Sequence, residues 1–134
     1  MQKDERGGTQ VVYPFLRYAD APAAIDWLVT AFGFEKHAVH ADGAGGIAHA
    51  QLTLGTGMVF VSSMRGDARE RPPGDLNFDG GISIYVEDVD GHFERAQAAG
   101  AEIISVPVDQ PYGARDYACR DPEGNLWSFG NYHP

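Results

Sequence analysis

Five histidines and one cysteine are the side chains of this 134-residue chain best suited to metal binding or nucleophilic attack. His37 and His40 stand three apart in an extended stretch, so on a regular strand they point to opposite faces and share no metal without a bulge. His49 is placed differently. Ala48, Ala50, Leu52 and Leu54 form an apolar stripe for a helix to cover, which turns Ile47, His49, Gln51 and Thr53 the other way. An imidazole and an amide on that face are suited to holding a ligand. His92 opens a helix and His133 lies near the last residue; both read as surface residues. Cys119 alternates with Tyr117 on the core side of its strand, where a thiol has a raised pKa and is inert. A lone cysteine also excludes an intrachain disulfide framework and a Cys-rich zinc site. No Gly-x-Gly-x-x-Gly, phosphate loop or His-Glu-x-x-His is present. The glycine-rich run from Asp42 to Gly46 lies between two strands, with no helix N-terminus to hold phosphate.

The elements that must position these groups follow from periodicity. Residues 1–9 are polar, without apolar periodicity, and read as a flexible tail. Residues 11–18 are β-branched and aromatic and predict a strand. Asp20 is an N-cap with Pro22 just inside the helix, and Ala23, Ala24, Trp27, Leu28, Ala31 and Phe32 recur at helical spacing before Gly33 stops it. Strands follow over 34–40, 47–54 and 58–63, with a Gly55-Thr56-Gly57 hairpin turn. Residues 64–79 hold four acids, three arginines, two prolines and two glycines; this is a linker or flap, expected to be mobile without ligand. The pattern then restarts: a strand over 81–86, a helix capped by Asp88 or Asp90 with Phe93, Ala96 and Ala99, a stop at Gly100, and strands over 101–106, 115–120 and 126–132.

This is an internal repeat of β-α-β-β-β. Gly33 and Gly100, Glu35 and Glu102, and Gly57 and Gly124 are each 67 residues apart, while Asp20 and Asp88, and Ile25 and Phe93, are 68 apart. The predicted fold is α+β, with tandem βαβββ modules over 10–63 and 80–134 in a single structural domain. A ferredoxin-like α+β domain whose halves match by chance is the alternative.

Nineteen acidic against ten basic residues give a net charge of -9. A nucleic-acid partner would need a basic stripe and is not expected. No apolar run reaches the ~20 residues of a membrane span and no signal-peptide pattern opens the chain, so no membrane partner and a cytoplasmic location are expected. Eight arginines to two lysines, with many Ala and Gly, point to a GC-rich bacterial genome.

The run Gly113-Ala-Arg-Asp-Tyr-Ala-Cys-Arg-Asp-Pro-Glu-Gly-Asn-Leu-Trp-Ser-Phe-Gly130 resembles the closing hairpin of the vicinal oxygen chelate superfamily. That superfamily includes glyoxalase I, bleomycin-resistance proteins, fosfomycin-resistance proteins and extradiol dioxygenases. Phe15-Leu-Arg-Tyr-Ala-Asp20, with a helix ending Ala31-Phe-Gly-Phe34, is similar to its first strand and helix. The resemblance implies two modules whose curled mixed sheets form a cleft, commonly in a homodimer. In metal-dependent members the ligands come from the first and fourth strands of each module. Carried onto this chain, those positions fall on Tyr13, Val61, Gly81 and Ser128. Glycine and valine cannot ligate, neutral serine is a poor ligand, and a lone tyrosine makes no site, so neither metal nor cofactor is expected.

Period-two alternation gives the cleft-facing side chains. They are Tyr13, Phe15 and Arg17 on the first strand, His49 and Gln51 on the third, and Val61, with Val59 and Ser63, on the fourth. The second module adds Ser83, Tyr85, Asp116, Arg120 and Ser128. Aromatic walls with a few polar groups suit a small organic ligand. The expected function is metal-independent sequestration of a planar or cationic organic compound such as an antibiotic, as in bleomycin-resistance proteins, with no catalytic residue assigned. The alternatives are a metal-dependent lyase or dioxygenase with a non-standard site at His49, Gln51 or Asp116, and a non-catalytic stress or regulatory module.

Overall fold

The computed structural model describes residues 10–66, 70 and 80–134. The expected tail, 1–9, and most of the expected flap, 67–69 and 71–79, lie outside the described residues. Among the described residues, 10–29 and 33–70 form one compact unit, and 30–32 with 80–134 form the other.

The first unit contains β1 (Phe15–Tyr18), α1 (Ala21–Phe32) except its last three residues, β2 (Glu35–Ala41), β3 (Ile47–Leu54) and β4 (Gly57–Ser63), in the sheet order β1-β4-β3-β2. The second contains β5 (Ile82–Tyr85), α2 (Val89–Ala98), β6 (Glu102–Asp109), β7 (Arg115–Arg120) and β8 (Leu126–Gly130), in the order β5-β8-β7-β6. In each sheet the opening strand runs parallel to the closing one and the other pairings are antiparallel. The fold is therefore α+β with two βαβββ modules, as the repeat predicts.

Local chemistry accounts for the boundaries. The Asp20 carboxylate accepts the Ala23 N–H at 3.2 Å, Pro22 sits in the first turn, and Gly33 ends α1 in the left-handed conformation with φ 88°. In α2 the cap is Asp88, which accepts from Gly91 N at 3.0 Å. The first strand is shorter than expected. Val11 and Val12 are 80% and 77% exposed, and pairing with β4 starts only where Phe60 N–H donates to the Pro14 carbonyl. Before that point the Gln10 amide donates to the Met58 carbonyl at 2.9 Å. β6 is longer than expected and includes Pro107, which a sheet edge tolerates because its missing N–H has no neighbour to serve.

Tyr18, Ile25, Leu28, Ala50, Leu52 and Val61 are buried in the first unit. In the second, Phe32 at the end of α1 packs against Trp127 and Phe129 at ring distances of 5.2 and 4.7 Å. His92 is not the surface residue expected from its place at a helix start. Its Nε2 faces the Phe32 carbonyl at 2.9 Å, its Nδ1 faces the Tyr117 hydroxyl, and its ring lies 4.1 Å from Phe129. A carbonyl only accepts, so Nε2 carries the proton and Nδ1 accepts from Tyr117. Burial foremost lowers the His92 pKa; the Phe32 carbonyl opposes the shift and Arg95 adds to it.

Candidate functional site

In the first sheet, register places Phe15 beside Phe60 and Phe60 beside Gln51, so the three share one face. Tyr13, two residues before β1, stacks on Phe60 with centroids 5.0 Å apart and planes 6° from parallel. His49 meets Phe60 edge-on at 4.9 Å. The Gln51 amide nitrogen lies 3.2 Å from His49 Nε2. That nitrogen can only donate, which puts the His49 proton on Nδ1. Of the expected residues, Tyr13, His49 and Gln51 thus gather around Phe60, and Phe15 stands 63% exposed on the same face. Arg17 does not present a free guanidinium: it pairs with Glu70 at 3.0 Å, and both side chains are 9% exposed. Glu70 also accepts from Arg65 N and Gly66 N, tying the exit of β4 to β1.

Val61 corrects the expectation. It pairs with Ala50, and Val59 with Leu52, on the covered face, where Val61 is 1% exposed. The cause is one residue of hairpin length. Residues 54–57 separate the pair Thr53 and Met58, whereas 121–125 separate the equivalent pair Arg120 and Leu126. The repeat offset therefore passes from 67 before the hairpin to 68 after it. The counterpart of Ser128 is Phe60, confirmed by the matching pairs Phe15 with Phe60 and Ser83 with Ser128.

His40, read from spacing only as unable to share a metal with His37 without a bulge, lies opposite His49 with ring centroids 6.4 Å apart. Irregular pairing between His40 and Ala41 produces this register, so counting back from the Asp42 turn does not reveal it. A second shift between Lys36 and Ala38 falls at His37, which is exposed.

In the second sheet, Ser83, Tyr85, Asp116, Arg120 and Ser128 share one face, as alternation predicts. Tyr85 and Asp116 both stand opposite Gly130, which raises no side chain between them. A Cβ on Gly130 would come within 2.8 Å of the Asp116 Cβ and 3.0 Å of the Arg115 carbonyl. The Asp116 carboxylate accepts from the Gln110 amide at 2.9 Å and the Tyr112 hydroxyl at 3.1 Å. Tyr112 meets Tyr132 edge-to-face at 5.1 Å, and Tyr85 stacks on His133 at 3.8 Å. Partial loss of water foremost, then the Asp116 bond and charge, raises the Tyr112 phenol pKa. Arg120 turns to its own hairpin and donates to the Gly124 carbonyl at 3.0 Å. Gln110 and Tyr112 lie in a turn, where alternation assigns no face; Tyr132, inside the expected strand over 126–132, lies beyond the end of β8 at Gly130.

The positions that the resemblance assigns to metal ligands are Tyr13, Phe60, Gly81 and Ser128 once the register is corrected. A phenyl ring and a glycine supply no donor, so these side chains do not fit a divalent ion. Among the described residues no three His, Cys, Asp or Glu side chains come together. No helix among them is long and apolar enough to cross a membrane.

Paired βαβββ modules with ring-lined open sheet faces define the class. The family model described as the Glyoxalase/Bleomycin resistance protein/Dioxygenase superfamily matches residues 10–129, and the chain belongs to that superfamily. It is 33% identical over 121 residues to the Mycobacterium tuberculosis (strain ATCC 25618 / H37Rv) protein Rv0887c, covering 87% of this chain and 71% of that one. Among solved structures, TioX from Micromonospora sp. ML1 is 36% identical, with a TM-score of 0.72 over 93% of this chain and 98% of that one. FosX, a genomically encoded fosfomycin resistance protein from Listeria monocytogenes, shares the fold at 15% identity, with a TM-score of 0.69 over 93% of this chain and 94% of that one.

Proposed function

We propose that this protein binds a flat organic compound reversibly and sequesters it, without a metal and without converting it. The observation that carries this reading is the Tyr13–Phe60 stack with His49 on its edge. In the first module aromatic rings, Tyr13 and Phe60, occupy the two positions that the resemblance assigns to metal ligands. Parallel rings on an open sheet face supply a stacking platform worth roughly 0.5–1.5 kcal/mol per aromatic pair beyond burial. On the first sheet Tyr13, Phe15 and Phe60 act as walls, and His49 and Gln51 set orientation. On the second sheet Tyr85 is the wall, and Asp116, Ser83 and Ser128 are the polar groups. An antibiotic is the favoured compound, because the superfamily's description includes bleomycin resistance.

A thermal-shift screen of bleomycin-type glycopeptides and quinone and quinoxaline antibiotics, each with EDTA or with divalent metals, tests this. The expected result is a stabilising compound in EDTA whose effect weakens in Tyr13→Ala and Phe60→Ala. Stabilisation only with a metal, accompanied by conversion of the compound, would replace this reading with the lyase or dioxygenase. No shift with any compound would favour the regulatory module.

A further inference from the structure

Resting on that binding role, we infer that the compound is an organic cation whose charge sits against Asp116, in the slot over Gly130 on the second sheet. Tyr85, Gly130 and Asp116 stand side by side on neighbouring strands. Two strand spacings put the Tyr85 and Asp116 backbones about 10 Å apart, Gly130 adds no side chain between them, and the His133 ring lies against Tyr85. That gap is one flat ring wide, walled by a phenol on one side and a carboxylate on the other.

The charge of the carboxylate is what selects the ligand. Both oxygens of Asp116 are oriented by neutral donors, Gln110 and Tyr112. These fix the group without neutralising it. The neighbouring cations are engaged elsewhere: Arg115 with Asp90 and Asp109, and Arg120 with the Gly124 carbonyl. Among the described residues no cation pairs with Asp116, so a ligand cation meets a positioned carboxylate. The rings at hand are neutral phenols, whose faces attract cations. Tyr112 carries one of the two bonds to Asp116, and Tyr132 stands edge-to-face with it. The stack of His133 on Tyr85 at 3.8 Å shows that this ring takes a flat heteroaromatic partner at van der Waals distance. The net charge of -9 draws the same class of ligand from solution.

The test is a titration of the full chain, followed by NMR chemical shifts, with N-methylisoquinolinium and its uncharged isostere 2-methylnaphthalene. Wild type is expected to bind the cation at least tenfold more tightly. Asp116→Asn, which keeps the shape and both hydrogen-bonded positions, should bring the ratio close to one. Asp26→Asn removes the same charge from an exposed residue of α1 that pairs with Lys36, and should leave the ratio unchanged. Gly130→Ala fills the slot and should weaken the cation. Equal binding of both probes, or a ratio that survives Asp116→Asn, would overturn the cation assignment while leaving sequestration of flat compounds standing. Binding of neither probe would remove both.

Discussion

His92 is a histidine held in one tautomer, donating to the Phe32 carbonyl and accepting from Tyr117. Protonation puts a second N–H where Nδ1 must accept, on a ring that burial already keeps neutral. Its folded pKa lies below the ordinary 6.5. The unfolded chain therefore takes up a proton first as the pH falls. The contribution to stability is whole above the unfolded value and is lost as pH falls through the folded one. Urea unfolding should show stability declining below about pH 6.5, with a shallower decline in His92→Gln, which donates but does not titrate in this range. Equal acid slopes in the two proteins would contradict the assignment. Cys119 makes a second residue-scale case. It is fully buried, and burial foremost, with the Asp121 charge adding, pushes its thiol pKa up to about 12. Iodoacetamide should modify it only once the protein is unfolded; modification of the folded protein at neutral pH within minutes would refute this.

At the scale of elements, the β7–β8 hairpin shows what a motif encodes. Asp121 is 4% exposed, and its carboxylate accepts from Glu123 N, Asn125 N and the Trp127 indole nitrogen. The Asp-Pro-Glu-Gly-Asn run is thus a folding device. Asp121→Ala leaves a buried indole N–H and turn amides without this acceptor. It should cost on the order of 1–3 kcal/mol in chemical denaturation, and a loss under half of that would mean the turn holds itself. Element order, the Asp20 cap and the second open face were legible in sequence, because caps and period-two alternation are local signals, while the second cap was narrowed only to Asp88 or Asp90. The first face was legible except on β4, where a one-residue difference in hairpin length reversed the parity of Val61 and hid Phe60. His40 beside His49 and Tyr112 on Asp116 depend on pairing irregularities and turn geometry, which leave no periodic trace. His92 misled because a helix start is usually exposed, whereas here it meets an aromatic cluster.

At the scale of the whole molecule, each sheet keeps two edge strands, β1 and β2 in the first and β5 and β6 in the second. The β6 edge exposes Ile104, Val106 and Val108 by 50%, 57% and 46%. Open edges with apolar side chains favour pairing with a second copy, so a homodimer is expected. Sedimentation equilibrium at micromolar concentration should give twice the 14.5 kDa chain mass, and a single species at 14.5 kDa would contradict it. Sequestration without chemistry is the central claim, and the most direct measurement is equilibrium dialysis in EDTA against the best compound from the screen, with mass spectrometry of everything recovered. The account predicts saturable, reversible binding and full return of the compound at its original mass. Binding that vanishes in EDTA, or recovery of an altered compound, would contradict it.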